Sequence, residues 1–474
     1  MTQYANSLVI RGNQPSFRGV LAGIQEAGPQ YLTNRIEQGL IFVTVALFPI
    51  QEHIPAVGGF SIMYLLFAAM AGYVIAKRPQ CLAKTWLQPL PLAVYIFFSL
   101  AFLMESFHPY VYYREIFRTV QTFAGSLFLA SLCRDRNALG VAMYGYVLAG
   151  AFMSIVLLLT SYGALSGATA VDYAEADLIR SEVFEEMPLE YDLNNMAFIT
   201  AQGGGVALAL ALTTRAGWSR YLFFGISLAC CLASFLPMSR SGIATVVIVC
   251  ASVMFGYGLN RIKTLAIGIL IAATMMIFVP QAIWSRLAFP TEVDRLGRME
   301  GRALVYTAFV NHLPEFAVAG VGAGNFWRGA LPGYRRFAGS VSGAHNVFFQ
   351  TLIYWGLPAF FGLIAIIFQT YRCLPGRYSD DGLALGLLAV SMSLLLLLLS
   401  VHTLYAKEFS VGIGLLLGAN RWIWQAHTVL RMRPKQPTTS RSPLLHNRGK
   451  DSSSGMLPER LGVSSFSNST KDHC

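Results

Sequence analysis

Leu383–Val401, LALGLLAVSMSLLLLLLSV, decides the fold. It holds no charged residue and runs through six consecutive leucines, Leu394–Leu399. A helix rises about 1.5 Å per residue, so this stretch is long enough to cross a hydrocarbon layer of roughly 30 Å. The residues on either side are of the same kind. Of 474 residues, 55% are hydrophobic and 12% charged, whereas soluble domains carry roughly 25% charged residues. A soluble chain of this length would divide into domains joined by polar linkers. Here apolar runs follow one another almost from end to end.

The pattern predicts an all-α fold, a polytopic transmembrane helical bundle of about twelve spans. They are expected at 34–51, 55–76, 89–104, 115–132, 138–162, 196–213, 219–237, 241–258, 263–281, 346–370, 383–402 and 409–425. The bundle thus covers 34–425. Residues 1–33 form a polar cytoplasmic segment without an apolar run ahead of a small-residue cleavage site, so the first span is its own insertion signal. The Ser, Pro and basic content of 426–474 predicts a disordered cytoplasmic tail. Two sizeable loops remain, 163–195 and 282–345, the second partly helical and placed before the tenth span. No internal repeat recurs at a fixed period.

Lys and Arg set the orientation. With the N-terminus in the cytoplasm, 23 of the 35 basic residues fall in inside segments, and every short loop obeys the rule. Both termini then lie inside. The net charge of +11 reflects these loops and not a nucleic-acid surface. Seven arginines fall in the 282–345 loop on the outer side. Long loops translocate regardless of charge, so topology alone does not account for these arginines. Cysteine usage agrees: Cys81, Cys133, Cys373 and Cys474 lie inside, Cys230, Cys231 and Cys250 lie within spans, and none is in an outer loop. No disulfide framework is expected.

Charge at a membrane face is costly and is kept for a partner or a task. Three outer places carry it. Pro237-Met238-Ser239-Arg240-Ser241-Gly242 sits between two apolar runs with almost no loop, which pins Arg240 at the outer face. Ser239 and Ser241 flank it as extra hydrogen-bond donors, and Gly242 allows close backbone approach. Arg295, Arg298 and Arg302 recur at spacings of three and four, on one helical face. Cations gathered on one face suit an anion; Tyr306, which closes the Gly301–Tyr306 segment, is taken with Arg298 as a substrate-binding candidate. Gly343-Ala344-His345-Asn346 heads the tenth span, and His345 is the side chain best suited to proton transfer near neutral pH. Each feature also has a plain reading: a snorkelling arginine, a helix lying on anionic headgroups, an interfacial histidine. Together they fit one chemistry, in which arginines hold a diphosphate bidentately and a histidine activates a hydroxyl. No metal site is expected: there is no His-x-x-x-His or Cys-x-x-Cys pattern, and the Asp380-Asp381 pair falls inside. Gly320-Val321-Gly322-Ala323-Gly324 lacks the βαβ context of a dinucleotide site, and there is no P-loop.

The order Ser-Arg-Ser-Gly at a span junction, Gly-Arg in the large outer loop, Gly-Val-Gly-Ala-Gly-Asn-Phe, then His-Asn heading a span resembles the bacterial O-antigen ligase and polysaccharide polymerase superfamily. The resemblance covers roughly 190–370 by motif and the whole chain by topology. It implies an integral-membrane glycosyltransferase of the GT-C type in the inner membrane, with a periplasmic active site. Such an enzyme moves a glycan from an undecaprenyl-diphosphate carrier to lipid A-core or to a growing glycan, by an inverting reaction without metal or other cofactor. Arg240 and Arg302 would engage the diphosphate, and His345, with Asn346 beside it, would assist the acceptor hydroxyl. Asp192-Leu193-Asn194-Asn195-Met196-Ala197 resembles the family's Asp-Pro-Asn-x-x-Ala pattern, with Leu193 where Pro is usual. That makes Asp192 and Asn194 candidates for sugar contact and gives the acidic 163–195 loop a use beyond solvation. Tyr354 stands where ligases often carry a Glu, two residues before Gly356. The large loop before the tenth span is the more ligase-like feature, and ligase and polymerase both stay open. The alternative from another class is a transporter or flippase of a lipid-linked or anionic solute, which would place its binding groups near the midplane on broken helices and repeated halves. A non-catalytic membrane scaffold is the third.

Overall fold

The computed structural model describes residues 34–48, 62–80, 109–166, 193–215, 217–259, 277–288, 309–314, 346–371, 381–400 and 408–419, with short pieces between them. All regular structure among the described residues is helical: α1 (Arg35–Leu47), α2 (Ile62–Lys77), α3 (Pro109–Leu132), α4 (Arg136–Ser166), α5 (Leu193–Thr213), α6 (Trp218–Ala233), α7 (Arg240–Tyr257), α8 (Gln281–Ala288), α9 (Val347–Tyr371), α10 (Gly382–Ser400) and α11 (Glu408–Ala419). Five of them, α4, α5, α7, α9 and α10, are long and apolar enough to cross a membrane. Helices occupy ten of the twelve expected spans; the spans at 89–104 and 263–281 lie wholly or largely outside the described residues, as do 1–33 and the tail. α3 begins at Pro109, six residues before the expected boundary. Its first turns, Pro-Tyr-Val-Tyr-Tyr-Arg, are too polar to register as a span, yet proline is favoured at a first helical position.

Helix starts are built on capping side chains, which satisfy N–H groups that have no intrahelical partner. Asn34 and Glu37 form a reciprocal capping box on α1. Asp135 Oδ1 accepts from the Ala138 N–H at the head of α4, and Asp381 Oδ1 from the Leu383 N–H at the head of α10. Ser239 caps α7, and Asn346 Oδ1 accepts from the Phe348 and Phe349 N–H groups of α9.

α5 is the hub and packs on α4, α6, α7 and α10. Its centre is Gly203-Gly204-Gly205. Successive helical residues turn about 100°, so the three glycines face three directions. A Cβ on Gly203 would lie 2.5 Å from the Gly150 Cα of α4, and one on Gly204 would lie 2.8 Å from the Cys230 Cβ of α6. One on Gly205 would collide with Val249 of α7. Apolar side chains gain little by leaving lipid for another helix, so membrane bundles rely on this close backbone packing. α3 and α11 run parallel and pack in the same way: Ser126 Oγ lies 2.9 Å from the Ser410 carbonyl oxygen, and Gly414 sits against Leu129.

The bundle has two polar ends. At one, the fully buried Glu37 accepts from Asn34 N, Arg78 Nε (3.0 Å) and Arg134 Nη2 (2.5 Å). Nearby, Arg136 grips Asp381 with two bonds of 2.7 and 3.0 Å. Arg78, Arg134 and Arg136, all assigned to inside loops by charge counting, thus gather at one end with their carboxylate partners. At the other end α5, α7 and α9 begin and α6 and α10 finish, tied by Asn194–Ser239 and by an Asn346 Nδ2 contact to the Leu399 carbonyl at 3.4 Å.

Candidate functional site

The site is built on the turn between α6 and α7. Residues 234–239 reverse the chain and are all buried. Their backbone donors close inward: Ser234 N to Cys230 O, Phe235 N to Leu232 O, Leu236 N to Ala233 O, and Met238 N to Phe235 O. Pro237 has no N–H to satisfy. Met238, at φ 51°, is the one non-glycine residue with positive φ among the described residues. Such a conformation is uncommon outside glycine and persists only where the surroundings impose it. Here it lets a six-residue reversal deliver Ser239 in the extended conformation that a cap requires.

The Ser239 hydroxyl donates to Asn194 Oδ1 at 2.7 Å and accepts from the Gly242 N–H at 3.1 Å. Ser241 Oγ is also 3.1 Å away. Because the single Ser239 proton is committed to Asn194, Ser241 is the donor of that pair. Gly242 packs against Ala197, where any side chain would collide. The Ser-Arg-Ser-Gly and Asn-Asn-Met-Ala motifs are therefore one structural unit, the joined heads of α5 and α7. Arg240 is the first residue of α7, half-buried, and held between two locked serines.

The electrostatics of this end favour anions. Each helix start carries a partial positive charge from aligned peptide dipoles and orphan N–H groups. Three helices, α5, α7 and α9, begin here, and Arg240 adds a full charge. Arg180 adds another. It is the one base of the acidic 163–195 segment, and its Nε donates to the Pro237 carbonyl at 2.9 Å. Ile179 and Val183 pack on the core beside it. The described residues around Arg180 thus lie against the α6–α7 turn.

Among the candidates, the structure brings together Asn194, Ser239, Arg240 and Ser241, and places Asn346 at the same end of the bundle. Asp192, Arg298, Arg302, Tyr306 and His345 lie outside the described residues. The oxygens of Asn194 and Asn346 are already occupied, one by Ser239 and one by the head of α9. Sequence reading missed Arg180, whose only signal was being the lone base among acids. It also missed Thr200, whose hydroxyl lies 2.8 Å from Ser234 Oγ and ties the α6 end to α5. No group of three or more His, Cys, Asp or Glu able to hold a metal ion occurs among the described residues.

Gly320, the first glycine of the Gly-Val-Gly-Ala-Gly run, has a structural role. α9 is broken at Gly356 (φ 73°, ψ −172°), two residues before Pro358. The break would orphan the Leu357 N–H, a costly state inside a membrane. That N–H instead donates to the Ala317 carbonyl at 2.8 Å. Gly320, at φ 75°, sits so close that a Cβ would lie 2.5 Å from the Trp355 nitrogen. Residues 317 and 320 of the large loop are therefore docked into the kink of α9.

No curated protein matches the chain. One family model does, that of O-antigen ligase, over residues 223–364. That stretch runs from α6 into the second half of α9. It includes Ser239, Arg240, Ser241, Arg298, Arg302, Tyr306, His345 and Asn346, while Asp192 and Asn194 precede it. The ordered motifs and the family match agree: residues 223–364 match the O-antigen ligase family, which supports the ligase and polymerase superfamily.

Proposed function

We propose that the chain transfers a glycan from an undecaprenyl-diphosphate carrier to an acceptor hydroxyl at the periplasmic face of the inner membrane, as ligase or polymerase in cell-surface polysaccharide assembly. The observation that carries this reading is the joined head of α5 and α7. The Asn194–Ser239–Ser241 chain fixes Arg240 where three helix starts converge on one end of the bundle. The O-antigen ligase match, which covers Ser239, Arg240 and Ser241, supports it.

In this mechanism Arg240 and Arg302 bind the diphosphate through their planar forks, with Arg298 beside them. The acceptor oxygen attacks the anomeric carbon from the face opposite the diphosphate. Its proton passes to His345. The bond from the anomeric carbon to the diphosphate oxygen breaks with its electron pair, and the arginines neutralise the charge that appears there. The product is inverted, and no cofactor is required. Lipid A-core or a growing glycan is the acceptor, and both termini are cytoplasmic.

The broken α9 is the one observation that favours a transporter, since transporters use broken helices at mid-membrane binding sites. Here, however, the freed Leu357 N–H is taken by Ala317 and the gap is filled by Gly320, so the break serves a protein contact.

Alanine at Arg240, Arg302 and His345 tests the proposal. Each variant should remain in the membrane and lose surface polysaccharide, with rate losses on the order of 10²–10³ for an electrostatic contact. Wild-type polysaccharide in all three refutes it. Deletion of the gene then separates the two activities: full-length chains left on the carrier mean a ligase, single repeat units a polymerase.

A further inference from the structure

Three side-chain oxygens at the Ser239 end of the bundle are buried and accept no hydrogen bond: Asn195 Oδ1, Gln350 Oε1 and Thr351 Oγ1. Gln350 is 6% exposed and Thr351 is fully buried. Asn195 is the third residue of α5, and Gln350 and Thr351 lie in the second turn of α9. All three are therefore within about two turns of the helix starts that frame Arg240. Unbonded buried oxygens are rare, because each gives up its hydrogen bonds to water for nothing in return. In a membrane bundle no bulk water is at hand to compensate. Their near neighbours do not share this state. Asn194, adjacent to Asn195, is bonded to Ser239, and Asn346, one turn before Gln350, is bonded to the α9 backbone.

The chemistry of these oxygens selects the ligand. Two are amide carbonyl oxygens, which only accept, and the third is a hydroxyl with free lone pairs. A diphosphate diester is ionised at neutral pH and has no proton to give. It can satisfy neither amide oxygen, whereas the Thr351 hydroxyl can both donate and accept. A sugar presents many hydroxyl donors. The arginines supply donors and no acceptors, so the two sets of groups are complementary to the two halves of a glycan diphosphate.

We infer that Asn195, Gln350 and Thr351 form the sugar-binding part of the site and accept hydrogen bonds from glycan hydroxyls, while Arg240 serves the diphosphate. Asn194 is then a positioning residue that holds Ser239, and its neighbour Asn195 is the one that meets the glycan. The inference rests on the glycan-transfer reading above and adds which residues read the sugar.

The test uses near-isosteric apolar variants, Asn195→Leu, Gln350→Leu and Thr351→Val, in the full chain, with Arg240→Ala in parallel. Removing an unbonded oxygen relieves a buried polar group, so each apolar variant should melt in detergent at or above the wild-type temperature. Surface polysaccharide in a strain lacking the wild-type gene should nevertheless fall at least tenfold. Binding of glycan-free undecaprenyl diphosphate to the purified protein should be unchanged in these three and weakened in Arg240→Ala. Wild-type polysaccharide in all three variants overturns the inference and assigns the oxygens to trapped water. A fall in melting temperature together with lost polysaccharide assigns them to the fold and also overturns it. Undiminished lipid binding and full polysaccharide in Arg240→Ala overturn the transferase reading itself, and the inference with it.

Discussion

The Ser239 hydroxyl donates to Asn194 Oδ1 at 2.7 Å, joining a residue inside the O-antigen ligase match to one that precedes it. The same hydroxyl caps α7 through the Gly242 N–H. Ser239→Ala therefore removes both of these bonds and the one from Ser241, and leaves the buried Gly242 N–H without its cap. A lost cap costs about 1 kcal/mol, and an unsatisfied buried partner about 1–3 kcal/mol. We expect a loss of about 2 kcal/mol, read as a lower melting temperature of the detergent-solubilised protein. Ser239→Thr, which keeps the hydroxyl, should recover most of it. Because Arg240 is the next residue, Ser239→Ala should also reduce polysaccharide while the protein stays in the membrane. An unchanged melting temperature in the alanine variant would show that the bridge contributes nothing.

Gly320→Ala tests the docking of the large loop into α9. A Cβ at this position would enter the Tyr354–Trp355 backbone, and φ 75° disfavours any side chain. Backbone cannot yield as a flexible side chain can, so the loop must lift and release the Ala317 carbonyl from the Leu357 N–H. The expected result is faster protease cleavage near 317–320 than in wild type, with intact α4–α5 packing reported by an unchanged membrane level. Equal cleavage rates would mean that the contact does not hold the loop.

Glu37 is fully buried between two arginines, one of which, Arg134, has a side chain only 6% exposed. Glu37→Ala takes from the buried Arg134 guanidinium the carboxylate it is paired with, and breaking a buried ion pair in this way costs on the order of 3–5 kcal/mol. Arg78 is 27% exposed and can turn to solvent. The Glu37→Ala, Arg134→Ala double variant should therefore be less unstable than the sum of the two single changes. Thermal unfolding of the four proteins in a double-mutant cycle measures this. Strict additivity would mean that the two charges do not sense each other.

The apolar runs were legible because burial in lipid demands uninterrupted hydrophobicity, and helices lie on most of the expected spans. Helix starts were less so. Pro109–Arg114 is helical but polar, and hydropathy cannot see it. Polar junction residues were noticed for their charge and not for their geometry. Asp381 registered as half of an inside acidic pair, whereas it caps α10 and holds Arg136. Asn346 stood out as the neighbour of His345, and its oxygen caps α9. Arg180 counted only as one base in an acidic loop, since its partner is a backbone carbonyl 57 residues away. Periodicity and charge counting contain no long-range contacts, and both the Asn194–Ser239 bond and the unbonded oxygens of Asn195 and Gln350 depend on such contacts.

The glycine triplet of α5 gives the sharpest contrast between residues of one type. Hydropathy treats Gly203 and Gly225 alike, as small apolar filler. In the structure Gly203 meets the Gly150 backbone of α4, whereas a Cβ on Gly225 in α6 meets nothing within 4 Å. Gly203→Leu must push α4 and α5 apart. Overpacking of this kind costs typically 1–3 kcal/mol, and more where backbone opposes it. Since α5 also touches α6, α7 and α10, the shift would propagate to the hub, and poor accumulation in the membrane with a lower melting temperature is expected. Gly225→Ala adds a methyl to open space, removes the backbone freedom of glycine in a helix, and should be neutral or stabilising by up to about 1 kcal/mol. Comparable stability of Gly203→Leu and Gly225→Ala would show that the close α4–α5 approach does not organise the bundle. If instead the two diverge as expected, the close α4–α5 approach positions the helix that carries Asn194 and Asn195, with Gly203 about two turns below them.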